Sequence, residues 1–528
     1  MKKNFYGLDL GNSNTVISVF DKEDKKVSPV ELNELSFGDN NIIFEYPKHF
    51  IPTVVAVGYD GKLTFGNTAL RQENANIYKD IKKDIIEGKY NKKEPFKILN
   101  EAPSLMKCFL HNIIDRLSKR EGMPIKICIS HPANSAIVDG TAYKQLLKSI
   151  LEEFPESKIE DYSLCDEPYA ASVGYHVYKK DSNHLIFIFD FGSCTINTLV
   201  LVSGRQNDDR IIASNTEFFG GRRIDIHLAD YLNKKYLNNE LQKGSNIQYL
   251  SLLDECEIAK ISLSKNDKVI LNYKDKEIQI DKNEFDFQVL KDNEIDNDIK
   301  EILNSTLDIA TVSMGRKKEE IKYVIFTGGS SLIKSVKQQL QEYFSSEGHN
   351  ILNDKIFTAV ADGLSIVSSG RVTIKELRFD FFVGSFHPKS NSSNWVYQIC
   401  SAREPFPSKQ KRAFYIEPAN WVMYEKPQEE LELFFYFCSP FEEGSVQKTN
   451  NCTDFQYLHE QTFNHQYIGE PLIIYAPNIK KLKAEYWIDQ KGSLLMSIIN
   501  CDSGDYAKAK QLDQTFVEAK DLLVLQLD

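Results

Sequence analysis

Two aspartates in this 528-residue sequence stand at the same point of the same local pattern. In "FYGLDLGNSNTVISVF", residues 5–20, Asp9 ends an apolar run just before the turn Gly11-Asn12-Ser13-Asn14. Gly and Asn are what any tight hairpin turn requires. Such a turn also aims successive backbone N–H groups at one point, a concavity that suits an anion. Ser13 adds a hydroxyl, and a carboxylate beside the concavity suits hydrated magnesium. The pattern returns in "HLIFIFDFGSCTINTLVLV", residues 184–202, where Asp190 precedes Gly192-Ser193-Cys194-Thr195. Alone, each stretch reads as an ordinary hairpin. Together, in separate halves, they predict a duplicated architecture: two facing loops that grip one triphosphate, with both aspartates near one metal.

A third stretch, "KYVIFTGGSSLIKSVKQQL", residues 322–340, runs a strand pattern into Gly328-Gly329-Ser330 and then an amphipathic helix. Glycines let backbone approach a ligand closely, and a helix N-terminus favours an anion. By itself it is a strand-to-helix turn.

The chain must bury enough to hold such loops, and it can. Its hydrophobic content is 42% and its length predicts about three domain-sized units. A net charge of −11 argues against nucleic acid as a partner. No apolar run reaches membrane-spanning length, and Met-Lys-Lys-Asn-Phe leads straight into a strand pattern without a signal core. These features predict a cytoplasmic protein with no membrane partner. The nine cysteines are scattered with no C-x-x-C pair, as in reduced thiols, and the ten histidines show no metal spacing.

The order of segments resembles the seventy-kilodalton heat-shock chaperones, built on the actin-like ATPase fold. After the first loop come "FIPTVVAV" and "FGNTAL", then "IKICISHPANSAIVDGTAY" (125–143) and "DEPYAASVGY" (166–175). The second loop, "FFGGRRIDIHLADYL" (218–232), "ECEIAKISLS" (255–264), "TGGSSLIKSV" and "AVADGLSI" (359–366) complete the series through residues 4–370. The resemblance implies an α/β actin-like ATPase domain over 1–370, with two lobes of ribonuclease-H-like halves. It implies ATP or ADP with Mg²⁺ as ligands, and K⁺ as a further candidate ion.

Carried over residue by residue, the resemblance gives each position a role. Asp9 and Asp190 would order the water shell of Mg²⁺. Glu167 would orient or deprotonate the attacking water. Lys82 would neutralise charge on the γ-phosphate, with Lys83 one position away and either lysine also readable as a solvated helix face. Thr195, in the second loop, joins Lys82, Glu167 and Asp190 in the catalytic set. Gly11, Asn12, Ser13 and Asn14 with Gly192, Ser193 and Cys194 would cradle phosphates. Pro132 would be the switch that couples nucleotide to lobe rotation. Glu257, Lys260, Ile261 and Ser264 would meet ribose and adenine from one helix face. Gly220, Gly221, Gly328, Gly329, Ser330 and Leu332 would complete the nucleotide site.

The departures bear on rate. Asn12 replaces a threonine. Gly192-Ser193-Cys194-Thr195-Ile196-Asn197 stands where the family has Gly-Gly-Gly-Thr-Phe-Asp, so a charge near the metal is lost at Asn197. Ile261 and Leu332 replace the arginines that stack on adenine, which removes cation–π attraction. These changes predict nucleotide binding with slow hydrolysis.

Beyond residue 371 short aromatic-rich strand patterns follow: "LELFFYF" (431–437), "GEPLIIYA" (469–476) and "LKAEYWIDQKGSLLMSII" (482–499). Regular short strands predict a β-sandwich. Through "REPFPSKQKRAFYI" and "AEYWIDQKGSLLMSI" the region also resembles the family's peptide-binding sandwich, which gives a linker at 371–380, a sandwich at 381–505 and a short tail at 506–528 with no helical lid. The tail's "AKDLLVLQLD" reads as the apolar end of a short helix, or else as a client-like segment in the peptide groove. The resulting expectation is a slow ATPase and chaperone-like protein whose nucleotide state governs binding of an extended client peptide. Co-chaperones (a nucleotide exchange factor or a J-domain protein) are candidate partners. The alternatives are a non-hydrolysing nucleotide-sensing scaffold, a small-molecule kinase of the same superfamily, and a filament-forming actin relative.

Overall fold

A computed structural model describes residues 4–38, 46–92, 94–132, 140–175, 184–202, 210–241, 247–314, 317–345 and 348–370, and beyond these the strands named below with Lys481 and 501–502. The chain divides into two compact units. Residues 1–209, 214–308 and 317–373 make the first, and residues 210–213, 309–316 and 374–528 the second. The boundary at 373 falls inside the expected linker 371–380. Residues 371–379 lie outside the described residues, and Asp380 begins a strand.

The duplication is present. In the first sheet Lys26–Pro29, Asn14–Asp21 and Asn4–Leu10 run antiparallel, and Asn4–Leu10 then pairs in parallel with Ile125–His131, which pairs with Ile159–Asp166. In a second sheet Ile196–Val202 runs antiparallel to Leu185–Phe191, which is parallel to Ile321–Thr327 and through it to Asn350–Leu352. Asp9 lies opposite Val16 and Asp190 opposite Asn197, the equivalent place in each hairpin. The carboxyl ends of parallel strands are where ligands bind in open α/β sheets.

Helices hold these sheet ends in place. Ala102–Glu121 starts with Pro103, which needs no N–H partner in a first turn, and buries Leu105, Met106, Phe109, Leu110, Ile113, Ile114 and Leu117 at helical spacing. It stops at Gly122, whose φ of 65° is left-handed. Glu167–Gly174 and Ala359–Ser368 cross almost backbone to backbone. A Cβ on Gly174 would stand 1.9 Å from the Ala359 carbonyl oxygen, and one on Gly363 would stand 1.8 Å from that of Ala170. Only glycine permits this approach, and it fixes Glu167 at the head of its helix.

The second unit is a set of antiparallel strands. One sheet runs Lys448–Thr449, Cys452–Asp454, Trp395–Cys400, Asp380–Gly384, Glu430–Cys438, Leu472–Tyr475, Lys508–Lys510, with Gln466–Tyr467 also on Glu430–Cys438. The other runs Arg412–Ile416, Leu482–Ile488, Ser493–Asn500, Leu523–Gln526. In Leu482–Ile488, Leu482, Ala484 and Tyr486 are buried while Lys483 and Glu485 between them are half-buried, the alternation of a one-sided strand. The expected tail needs correction. Leu523–Gln526 is a strand on Ser493–Met496, and Lys508–Lys510 pairs with Ile473–Tyr475, so both belong to the sheets.

Candidate functional site

Nearly all the residues singled out by sequence line one cavity of about 540 Å³ in the first unit. Asp9, the turn 11–14, Lys82, Glu167, Asp190, Gly192 to Thr195, Glu257, Lys260, Ile261, Ser264, Gly328 to Ser330 and Leu332 all reach it. Pro132, Gly220 and Gly221 do not line it. Pro132 is buried, and its carbonyl lies 2.8 Å from His131 Nδ1.

The first loop is wired to the helix that carries Lys82. Asn12 is buried, and its amide nitrogen donates to Asp80 Oδ1 at 2.7 Å while its oxygen accepts from the Lys83 backbone N–H at 3.0 Å. Asp80 takes a left-handed φ of 58° and starts the helix Ile81–Ile86. That seating separates the two lysines. Lys82 is buried and ion-paired with Glu167, whereas Lys83 is partly exposed and lies 4.0 Å from Glu87 along its own helix.

Charge is concentrated around this pair. Burial and the Glu167 carboxylate push Asp9 up to about 8. The same causes in the same order push Asp190 up to about 6. Burial pulls Lys82 down, but the neighbouring Glu167 reverses it, so the ammonium is held charged. Ser130 donates to Asp9 at 3.1 Å, and Thr327 donates to Asp190 at 2.8 Å. Asn197 is fully buried. Its amide nitrogen lies 3.2 Å from Glu167 Oε2 and 3.3 Å from both Asp190 Oδ2 and Thr195 Oγ1, and its oxygen accepts from Thr216 at 3.0 Å.

The second loop is tied to the third. The Gly192 carbonyl accepts from Gly221 N–H at 3.0 Å and from Ser330 Oγ at 2.9 Å, and the Ser193 carbonyl accepts from Arg222 N–H at 2.8 Å. Gly328 has a φ of 78°, and a Cβ there would stand 2.3 Å from the Phe191 carbonyl and 2.8 Å from Asp190 Oδ1. Gly220 and Gly221 permit the same close approach behind the wall, and Lys260 Nζ binds the Gly221 carbonyl at 3.0 Å and Asp225 at 2.7 Å. Lys260 is therefore occupied in holding the loop as well as lining the cavity. Gly329–Leu332 is a single 3₁₀ turn, and the helix begins only at Lys334, so the third loop offers no helix N-terminus at the glycines.

Sequence reasoning missed the apolar wall, made by Tyr46, Phe50, Phe357 and Val360, and the clasp of Arg222 on Asp80 (3.4 Å) and Glu257 (3.8 Å). "FEYPKHF" is conspicuously aromatic, but no spacing in it points to a ligand.

The donor set fits a magnesium nucleotide. Three carboxylates face one lysine, and a divalent cation would offset the excess. Ser193 Oγ, buried in the second loop at the cavity, has no hydrogen-bond partner, as a hydroxyl meant for a phosphate oxygen would.

Two like sheets, each with an Asp-x-Gly hairpin at this cavity, are the arrangement expected of an actin-like ATPase domain. The Hsp70 protein family model matches residues 159–414. The chaperone protein DnaK of Thermoplasma volcanium is 26% identical over 376 residues, 68% of this chain and 57% of that protein, so the match spans less than two thirds of that relative. Over these spans the chain is similar to proteins of the Hsp70 family. Asp9, Asn12, Lys82 and Pro132 precede the span the family model matches, and Asp9, Asn12 and Lys82 reach the same cavity as Glu167 and Asp190, which lie within it. Among the described residues no helix is long and apolar enough to cross a membrane.

Proposed function

We propose that a nucleotide-binding domain over residues 1–370 binds Mg·ATP or Mg·ADP in this cavity and hydrolyses ATP slowly, and that nucleotide state governs the binding of an extended peptide by the β-strand region that follows. The observation that carries this reading is the convergence of Asp9, Asp190, Lys82 and Glu167 with both hairpin turns on one cavity. Bound Mg²⁺ would screen the phosphates. Asp9 and Asp190 would hold its water shell, and Lys82 would leave Glu167 for the γ-phosphate. Glu167, once released, would accept a proton from the attacking water. For K⁺ the fit is poor, since Asn197 turns N–H groups, not oxygens, toward Asp190, Glu167 and Thr195.

A linker at 371–380 would join this domain to a β-sandwich that starts at 381 and includes Lys508–Lys510 and Leu523–Gln526. Strand addition would bind the client. Pro132 as a switch, exchange-factor or J-domain partners, and a cytoplasmic location complete the proposal. A second reading, a nucleotide sensor without hydrolysis, is favoured by the double hold of Lys82 and Asn197 on Glu167.

Calorimetry with Mg·ATP tests the binding, with Asp190→Lys as the non-binding control. Absence of heat from the wild type at millimolar Mg·ATP would remove the proposal. Single-turnover hydrolysis then separates ATPase from sensor.

A further inference from the structure

Tyr46 enters the cavity from a stretch that none of the sequence motifs covers. Backbone bonds from Phe37 N–H to the Phe50 carbonyl (2.9 Å) and from Gly38 N–H to the Lys48 carbonyl (2.9 Å) close an excursion of the chain. Tyr46 sits on it, with its ring stacked between Phe37 (centroids 5.5 Å apart) and Phe50 (5.9 Å), while Phe357 packs edge-on to Phe50 (5.3 Å). That stack aims the phenol. Its hydroxyl lies 3.5 Å from Glu257 Oε1 and hydrogen-bonds the Asn14 side chain.

The position of this contact along the cavity is informative. Asn14 belongs to the first loop, at the phosphate end. Glu257 begins a row that continues with Ile261 on the helix Ile247–Leu263 and ends at Ser264, in the turn just past it. At 1.5 Å per residue that row is about 10 Å long, roughly the span from a ribose to the far edge of a purine. Tyr46 and Glu257 meet between the two, where the sugar of a nucleotide lying along the cavity would be. A phenol donor beside a carboxylate acceptor is the complement of a vicinal diol, because one hydroxyl accepts from the phenol while the other donates to the carboxylate. Burial and the carboxylates of Glu257 and Asp225 raise the phenol's pKa, so it stays a donor.

We propose that Tyr46 is a nucleotide-binding residue that reads the ribose hydroxyls together with Glu257. This rests on the nucleotide reading above. It predicts that the chain discriminates ribonucleotides from deoxyribonucleotides, and that the discrimination lies in the phenolic hydroxyl.

Calorimetry on the full chain with Mg·ATP and with its 2′-deoxy and 3′-deoxy analogues tests this. The wild type is expected to bind ATP about ten-fold more tightly than the weaker deoxy analogue, the worth of one good hydrogen bond. Tyr46→Phe keeps the stacked ring. It is expected to lower ATP affinity to that of the deoxy analogue and to leave the analogue's affinity unchanged. Glu257→Gln should also narrow the gap. If Tyr46→Phe weakens ATP and deoxy-ATP alike, the ring is only structural and the inference is overturned. Equal affinities in the wild type overturn it as well. A wild type that binds none of the three overturns the nucleotide reading itself.

Discussion

Asn197 turns its amide nitrogen to Glu167 Oε2 across 3.2 Å, which puts an uncharged donor in the middle of the carboxylate cluster. An aspartate there would add a carboxylate to a cluster in which Asp9 and Asp190 already resist ionisation. The amide instead donates, and it joins Glu167 to Asp190 and Thr195.

Asn197→Asp should therefore be less stable in chelator, by about 2–4 kcal/mol, because like charges meet in a buried place. Mg·ATP should recover much of the loss, and single-turnover hydrolysis should be faster than in the wild type. Melting temperatures in chelator and in Mg·ATP measure the first, and rapid quench the second. An unchanged melting temperature in chelator would mean that the amide is not what balances the carboxylates.

The two adjacent lysines should separate cleanly. Removing Lys82 leaves Glu167 as a buried charge without its partner, which costs about 3–5 kcal/mol. Lys83→Ala should cost no more than about 0.5 kcal/mol, as its pair with Glu87 is long and partly exposed. Denaturant midpoints distinguish the two. Nucleotide-bound protein should show the same order in hydrolysis, with Lys82→Ala far slower. Equal effects would mean that the buried pair carries no more than the surface one.

How much of this was legible follows from where each signal resides. Both Asp-x-Gly hairpins and the strands of the second unit rest on local patterns, and the expected strand at 431–437 is observed as Glu430–Cys438. Asn12 and Asn197 stood out as departures, but not for what they do. Each is a buried amide that bridges groups many residues away, Asn12 to Asp80 and Lys83, Asn197 to Glu167 and Thr216. Tyr46 and Phe357 become one wall only through long-range packing, which no spacing in the sequence encodes. The strand Leu523–Gln526 was read as a tail because its partner Ser493–Met496 lies on a separate strand upstream.

Gly328 should tolerate no side chain. Its φ of 78° is strained for alanine, and the added carbon would stand 2.3 Å from the Phe191 carbonyl and 2.8 Å from Asp190 Oδ1. Gly328→Ala should cost about 2–4 kcal/mol and displace Asp190, so Mg·ATP affinity should fall as well. Calorimetry on the folded fraction checks this. Wild-type affinity in the variant would show that the third loop does not set the position of Asp190.

The last prediction concerns residues 519–528. A client-like tail in a peptide groove could be cut away with a gain in peptide affinity and no loss of fold. The strand pairing argues otherwise. Leu523, Val524, Leu525 and Gln526 lie opposite Met496, Leu495, Leu494 and Ser493, and Met496 is buried. Deleting them would leave the Ser493–Met496 edge without its strand partner. Unpaired edges of that kind favour pairing with another chain. Deletion of 519–528 should therefore lower the melting temperature of the second unit and promote association, with peptide affinity reduced rather than raised. Differential scanning calorimetry, light scattering and a labelled leucine-rich peptide read the three effects. A monomeric deletion variant of unchanged stability that binds the peptide more tightly would overturn this and restore the tail as an occupant of the groove.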